Sequence, residues 1–207
     1  MLQIHLVSQS PRRSQLLTEA GYEILVDSLK VSEIIEKNLN LEEALCRVAQ
    51  RKLDLFVQSV KNLNFKDYLF LSADTVVVFA GRVLGKPENS EQAREFLSLL
   101  SGQKHQVKTA LCLLHGPSGD RFCQVETTDV TFKPLSEQQI TDYIATGEST
   151  DKAGAYAIQG VGRAFVESIE GSLSNVVGLP MELLERVLDE KEWRVRRRKM
   201  GKDTKGD

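Results

Sequence analysis

Cysteine is scarce in this sequence, and the few residues present do not form a recognisable metal-binding pattern. Cys46, Cys112 and Cys123 are widely spaced along the 207 residues, and their number is odd. No two of them have the short spacing that is typical of zinc ligands. We therefore expect three reduced thiols within the core, and no zinc site.

Long apolar segments are also missing. No apolar run reaches the roughly 18 residues that a membrane-spanning helix requires, and the first residues lack the pattern of a signal peptide. We expect a cytoplasmic protein without a membrane partner. The composition, 41% hydrophobic and 27% charged, is ordinary for a globular chain of one large domain or two small ones.

Three common catalytic motifs are absent from the sequence. It contains no Walker phosphate-binding loop, no G-x-G-x-x-G after a strand and no G-x-S-x-G nucleophile elbow. Their absence argues against a P-loop nucleotidase, a dinucleotide-dependent oxidoreductase and an α/β-hydrolase.

Positive charge is unevenly distributed. Residues 191–207 carry a net charge of +5 within a chain of net charge −2. We expect one domain over residues 1–190 and a basic, flexible tail over 191–207. Such a tail could contact RNA or an anionic membrane. Trp193 is its only aromatic residue, so we expect a solvated tail that makes no specific nucleic-acid contact.

Strand-like and helix-like segments alternate along the chain. Strands are predicted near residues 2–7, 22–27, 105–115, 121–135 and 164–171, with two more over 68–87, which turn at Ala80-Gly81. Helices are predicted from Ser10-Pro11 to Gly21, over 41–60, over 90–102 with Ser90 as the cap, over 136–147 and over 180–190. This alternation predicts an α/β fold with a mixed β-sheet flanked by helices.

The segment "SQSPRR" places positive charge at the start of the first predicted helix. A helix N-terminus already carries partial positive charge, so Arg12 and Arg13 are unfavourable there unless an anion binds. The hydroxyls of Ser8 and Ser10, the first backbone N–H groups and the two guanidinium groups would suit a polyphosphate. The alternative is a pair of surface arginines bound to neighbouring glutamates.

Asp74 interrupts the almost wholly apolar segment "LFLSADTVVVF". A buried carboxylate needs a cation, a hydrogen-bond network or a chemical role. Asp74 could bind Mg²⁺ or accept a proton from water, or it could simply cap a turn. Lys86, in "LGKPE", is predicted to lie nearby. Glu33 and Lys52 could belong to the same site or be ordinary surface charges.

The glycine-containing segment "DKAGAYAIQG" would let a ligand approach the backbone closely. Tyr156 could stack on a ring, and Gln159 could pair with a base edge through its donor and acceptor. The alternative is a tight loop without a ligand.

Taken together, these segments resemble the Maf family of nucleoside triphosphate pyrophosphatases. The matching segments are "SQSPRRSQLL", "SADTVVV", "LGKP", "LSGQKHQVKT", "TDVTFKPLS", "DKAGAYAIQG" and "GSLSNVVGLP", in the family's order over residues 4–190. The resemblance implies a fold like that of the inosine-triphosphate pyrophosphatases, with a mixed sheet and a deep cleft. It also implies cleavage of a nucleoside triphosphate into a monophosphate and pyrophosphate, a divalent cation (Mg²⁺ or Mn²⁺) and a homodimer.

The resemblance assigns roles to individual residues. Asp74 matches the catalytic proton acceptor, and Ser8, Arg12, Arg13, Glu33, Lys52 and Lys86 match the polar residues of the cleft. Arg12, Thr75 and Gln159 match positions tied to substrate choice. From these matches we expect Glu33, Lys52 and Lys86 to assist catalysis, Asp74 with Glu33 to hold the metal, and Ser10 to join the phosphate-binding residues.

The sequence of the segment "DKAGAYAIQG" resembles that of the family branch that acts on dTTP and UTP. This resemblance implies a role in nucleotide-pool sanitation and in arrest of cell division. The alternatives are action on 7-methyl-GTP or on a modified pyrimidine nucleotide, and a nucleotide-binding regulator of septum formation. Gln9, Ala157 and Leu173 depart from the residues usual in the family. Ala157 adds a methyl group near the expected base pocket, so it bears on base preference.

Overall fold

The protein folds around one mixed β-sheet. The computed structural model describes residues 1–29, 31 and 39–198, and Glu33 lies outside this part of the chain. The strands are β1 (Gln3–Val7), β2 (Ile24–Asp27), β3 (Tyr68–Phe79), β4 (Arg82–Leu84), β5 (Lys104–His115), β6 (Arg121–Phe132) and β7 (Val166–Glu170). The helices are α1 (Pro11–Glu19), α2 (Leu41–Ser59), α3 (Ser90–Leu100), α4 (Glu137–Ala145), α5 (Leu173–Val177) and α6 (Met181–Glu190).

The sheet has the strand order β2-β1-β3-β5-β6-β7, and β4 also pairs with β3. Strand β1 is parallel to both β2 and β3, whereas β3, β5, β6 and β7 pair antiparallel in succession. The predicted α/β fold with a mixed sheet is confirmed. The strand order itself is new information, because hydrophobic periodicity does not specify which strands are neighbours.

Helices cover both faces of the sheet. On one face, α2 packs through Leu45, Ala49 and Phe56 against Phe70 and the middle of β5. On the other face, two further core clusters form: α1 and α6 pack near β1, and α3 and α4 pack near the far half of the sheet. Side chains of a strand alternate between the two faces, so consecutive residues of β3 contribute to different cores.

One helix start differs from the predictions, and another has the predicted residues without the expected capping bond. Asn89, not Ser90, caps α3, since its Oδ1 accepts a 2.9 Å hydrogen bond from the Gln92 backbone N–H. Ser10 occupies the cap position of α1, but its hydroxyl makes no capping hydrogen bond. The short helix α5 was not predicted, because five residues are too few to show a helical period.

The domain continues past the predicted boundary at residue 190. Trp193 is buried and stacks on His115, with ring centroids 4.9 Å apart. The Leu2 backbone N–H donates to the Arg194 carbonyl, and Leu2 accepts from the Arg196 N–H. Residues 191–198 therefore pack against the body, and only the part of the predicted tail from residue 199 lies outside the described residues.

The cysteines differ from the expected set of reduced thiols. Cys112 on β5 and Cys123 on β6 stand directly opposite each other in register and form a disulfide, with their Cα atoms 4.2 Å apart. Cys46 on α2 remains a thiol. The prediction was wrong because it relied on sequence spacing, whereas the hairpin brings distant residues into contact.

Within the described ranges, no helix combines the length and apolarity that a bilayer crossing demands.

Candidate functional site

Strand β3 changes partners at the point where Asp74 lies. On one edge β3 pairs with β1 as far as Leu71 and with β4 from Val77 onward. On the other edge, β3 pairs with β5 without interruption. In the described part of the chain, residues 72–76 therefore have a strand neighbour on one side only. The open edge exposes backbone carbonyls that side chains can reach.

Asp74 and Lys52 form an ion pair at this opening. The Lys52 Nζ donates a 2.6 Å hydrogen bond to the Asp74 Oδ1, and the two side chains are 11% and 9% exposed. Lys52 comes from α2, whose apolar face is fixed by the core beneath it. A buried carboxylate is tolerated when a cation is bound to it. Of the alternatives expected for a buried Asp74, a bound cation is present, and that cation is Lys52.

Arg13 fills the open edge of β3 from the other side. Its Nη1 donates 2.8 Å to the Ala73 carbonyl, and its Nη2 donates 3.0 Å to the Thr75 hydroxyl. Its Nε donates 2.7 Å to the Gly178 carbonyl. The side chain is buried. Arg13 thus braces β3 through these bonds, and it also lines the large cavity beside α1, so its role in phosphate binding stays a prediction.

Gly178 has a backbone conformation that suits this contact. Its φ is +122°, a region that side chains rarely adopt. A Cβ there would lie 3.5 Å from the Thr75 hydroxyl and 3.7 Å from the Arg13 Nε. Glycine lets the turn after α5 present its carbonyl directly to Arg13.

A large cavity lies beside the N-terminus of α1. It encloses about 510 Å³, and its lining includes Ser8, Ser10, Arg12, Lys52 and Lys86. Ser10, Pro11 and Arg12 at the start of α1 line this cavity, so the partial positive charge of the helix N-terminus favours an anion there. The five residues named above were predicted to share one site, and all five line this cavity.

Asp151 forms part of the wall facing Arg12. Its carboxylate lies 3.9 Å from Arg12 Nη1 and accepts a hydrogen bond from Lys152. Burial favours a higher pKa for Asp151, but the hydrogen bond from Lys152 and the charges of Lys152 and Arg12 outweigh it and lower the pKa. Asp151 is therefore a carboxylate at neutral pH that holds Arg12 in the absence of a ligand.

A smaller cavity of about 80 Å³ adjoins the large one, and both are lined by Arg12, Lys86 and Asp151. Thr75 and Val77 form its β3 side, and the rest of its lining includes Ala153, Tyr156, Ala157, Ile158 and Val177. The Tyr156 hydroxyl is hydrogen bonded to the His105 Nε2 at 2.8 Å. Burial lowers the pKa of His105 to about 4, so the imidazole is neutral near pH 7.

Gln159 is not among the described lining residues of either cavity, and its side chain is exposed. Thr75 and Arg12, the other two predicted specificity positions, do line the small cavity. The position of Gln159 gives no support to direct contact with a base in this conformation, so its role stays a prediction.

Sequence reasoning missed Asp151 and the inward direction of Arg13. Asp151 begins a segment that was singled out for its glycines and Gln159, and a single exposed acid carries no distinguishing sequence signal. Arg12 and Arg13 are adjacent on α1, where successive residues point in different directions. Which of the two is buried depends on which face of α1 packs against the sheet, and the sequence alone does not show this. In the structure Arg13 is the buried one.

Comparisons with known proteins identify the family of this chain. Residues 3–191 match the family described as Maf-like protein. The chain is 45% identical over 183 residues to a dTTP/UTP pyrophosphatase of Bdellovibrio bacteriovorus, covering 88% of this chain and 95% of that protein. It is 42% identical to a dTTP/UTP pyrophosphatase of Neisseria meningitidis serogroup A over 86% of this chain and 89% of that protein. A dTTP/UTP pyrophosphatase of Colwellia psychrerythraea is 44% identical over 85% and 82% respectively.

Proposed function

This chain belongs to the Maf family, and on that premise we propose that it is a nucleoside triphosphate pyrophosphatase acting on dTTP and UTP. The observation that carries the proposal is the ion pair of Asp74 and Lys52, placed at the opening of β3 beside a cavity lined by cations. The activity printed for the three relatives, at 42–45% identity, supports the same substrates.

The phosphate chain is assigned to the large cavity. Arg12, Lys52 and Lys86 line it, and the N-terminus of α1 adds partial positive charge. A triphosphate carries several negative charges, and oriented cations with little competing water stabilise the charge that develops on a leaving pyrophosphate. Arg12 would exchange its contact with Asp151 for one with phosphate, because a bidentate guanidinium–phosphate pair is stronger than an ion pair at 3.9 Å.

Asp74 is assigned the role of the proton acceptor. A water oriented by its carboxylate attacks the α-phosphorus, the bond from that phosphorus to the bridging oxygen breaks, and pyrophosphate leaves in line. Lys52 holds the carboxylate in one orientation through its 2.6 Å hydrogen bond. A positioned base contributes roughly 10²–10⁴-fold to such a rate.

The carboxylate of Asp74 would suit a divalent cation if phosphate oxygens of the substrate supplied the further ligands. Mg²⁺ commonly binds through one or two carboxylates plus phosphate oxygens. Asp74 supplies one carboxylate, and Glu33, the second predicted ligand, lies outside the described residues. When bound, the ion neutralises phosphate charge. Arg12 and Lys86 would orient the phosphates beside it.

The base is assigned to the small cavity. Its volume of about 80 Å³ favours one ring over a fused purine pair. Apolar side chains such as Val77, Ile158 and Val177 form one part of its wall, and Thr75 with charged residues shared with the large cavity forms the rest. The apolar part selects mainly by shape. This shape argument favours a pyrimidine over 7-methyl-GTP.

The proposal extends to the expected cytoplasmic location and to a homodimer, the second of which is implied by the family resemblance. Cell fractionation tests the first, and light scattering of the purified chain tests the second. A mass of one chain at micromolar concentration would contradict the dimer.

A panel of nucleotides tests the function. We expect release of pyrophosphate from dTTP and UTP with Mg²⁺ or Mn²⁺, slower release from modified pyrimidine nucleotides, and little from GTP or 7-methyl-GTP. The Asp74→Asn variant serves as the blank for contaminating phosphatases. Turnover of 7-methyl-GTP above UTP would overturn the substrate assignment. Tight binding of nucleotides without any pyrophosphate release would instead indicate a nucleotide-binding regulator.

A further inference from the structure

The three cysteines of the chain meet beneath helix α2. The sulfur atoms of Cys46, Cys112 and Cys123 all lie within 4.8 Å of one another. The sulfurs of Cys112 and Cys123 lie 3.6 and 3.9 Å from the carbonyl oxygen of Cys46. Helix α2 and the β5–β6 hairpin thus bring together residues that are up to 77 positions apart in sequence.

The cluster occupies a protected and largely apolar position. Cys112 is buried, and Cys46 and Cys123 are partly buried, within the core that α2 forms with the sheet. Burial, and to a lesser degree the charge of Glu42, raises the pKa of Cys46 to about 11. A lone thiol of this kind is protonated at neutral pH and is a poor nucleophile.

We propose that Cys46, Cys112 and Cys123, when the disulfide is reduced, form a three-thiolate site for one monovalent copper ion. None of the three cysteines is assigned to nucleotide hydrolysis, although Cys112 pairs in register with Ser72, two residues from Asp74. The proposal uses none of the residues assigned to the proposed function and does not rest on it.

The ligand set favours copper(I) over zinc. Soft thiolates select copper(I) and zinc among the common metals, and structural zinc almost always takes four protein ligands. In the described part of the chain, the group consists of the three cysteines, with no histidine or carboxylate as a fourth member. With a metal–sulfur distance of about 2.3 Å, three ligands in a plane place their sulfurs about 4 Å apart. The three sulfurs lie within 4.8 Å of one another, and the Cys112 and Cys123 sulfurs, bonded in the disulfide, must move apart after reduction to reach that spacing.

Disulfide formation and metal binding use the same sulfurs, so they exclude each other. A dithiol reductant, external to the protein, cleaves the Cys112–Cys123 bond by exchange and is itself oxidised to a cyclic disulfide. Cys112 and Cys123 each gain a proton. Binding of Cu⁺ then releases three thiol protons, and the copper keeps its oxidation state.

Copper binding by the full chain tests the proposal. The purified protein is reduced anaerobically with a dithiol, desalted and titrated with Cu⁺ against a chromophoric copper(I) chelator, and the stoichiometry is read by native mass spectrometry. We expect one copper per chain. Loss of an outer-shell partner alone weakens metal binding 10–100-fold, so each of Cys46→Ser, Cys112→Ser and Cys123→Ser should weaken it by more than about 100-fold.

Two controls make the result decisive. Asp54→Asn, on the same helix and paired only at the surface with Arg121, should bind copper as the unchanged chain does. The oxidised chain should bind none. Thermal unfolding of each serine variant shows whether it is folded, and a folded Cys46→Ser variant that keeps full affinity would overturn the proposal. Equal binding by the oxidised chain, or tighter retention of Zn²⁺ than of Cu⁺, would overturn it as well.

Discussion

The ammonium group of Lys52 donates a 2.6 Å hydrogen bond to the carboxylate of Asp74, although 22 residues separate the two in the chain. The pair joins α2 to the open edge of β3. It holds the carboxylate in one orientation, which a positioned proton acceptor requires.

Asp74→Asn should lower kcat by roughly 10²–10⁴-fold, because the amide cannot accept a proton from water. Affinity for dTTP, measured by calorimetry, should largely survive, since phosphate contacts are assigned to other residues. Asp54→Asn on α2 is the matched control and should leave kcat unchanged. Near-normal kcat in Asp74→Asn would exclude the assigned role.

Arg13 and Arg12 should respond differently to replacement by lysine. Arg13→Lys loses the planar set of contacts to Ala73 and Gly178, which shifts the catalytic strand, and a shift of about 1 Å can cost 10²-fold in kcat. Arg12→Lys should mainly raise KM, because a bidentate phosphate contact is lost.

Steady-state kinetics of both lysine variants on dTTP separate these effects. A rise in KM without loss of kcat in Arg13→Lys would mean that Arg13 binds phosphate directly. Circular dichroism shows whether the variant is folded.

Base selection should depend on the small cavity. Val77→Ala enlarges its β3 wall, and a difference of one or two methyl groups is worth about 10–200-fold in discrimination. The ratio of kcat/KM for UTP over GTP should therefore fall.

Gln159→Ala tests the remaining specificity prediction. If Gln159 pairs with the base after a loop movement, the ratio of kcat/KM between UTP and GTP should change more than the overall rate. An equal loss on every nucleotide would end that assignment and leave selection to the cavity lining.

His105 should make stability depend on pH. Its pKa is about 4 in the folded protein and 6.5 in the reference state, so the unfolded chain binds more protons between these values. Its contribution is complete above pH 6.5 and declines as pH falls toward 4. Between pH 7 and 5, the loss should be about 2 kcal/mol.

Urea unfolding of the original chain and of His105→Gln at both pH values measures this contribution. The variant should lose less stability on acidification. An identical pH dependence in the two proteins would show that His105 does not titrate in this way.

Residues 191–198 should contribute to stability, because they pack against the body of the protein, whereas 199–207 belong to the tail that the sequence predicts to be solvated. Removal of residues 199–207 should leave the melting temperature and kcat unchanged. Removal of 191–207 also deletes buried Trp193 and should cost about 3 kcal/mol or more. Equal melting temperatures for the full chain and the chain that lacks 191–207 would contradict the packing role. Loss of RNA affinity on removing 199–207 would show that the tail has a nucleic-acid partner.

The sequence supports part of this description and not the rest. Asp74 was identifiable because a charge in an apolar strand needs a partner, yet which lysine serves it depends on strand order and on the placement of α2. The disulfide was not predictable from an 11-residue spacing, because it requires the exact register of β5 and β6. Trp193 was predicted to lie in a tail because most residues around it are charged. In the structure its ring is buried, and this burial holds the segment against the body of the protein.

The carbonyl of Gly178 has a consequence for synthesis of the protein. Residues 13 and 73–75 leave the ribosome early, but the acceptor that fixes Arg13 emerges only near the end of translation. A nascent chain can therefore form β3 before the hydrogen bond between Arg13 and the Gly178 carbonyl is possible. Chains arrested before residue 178 should fail to hydrolyse dTTP. Activity would then begin only with almost complete chains, so fragments from aborted translation would not consume the nucleotide pool.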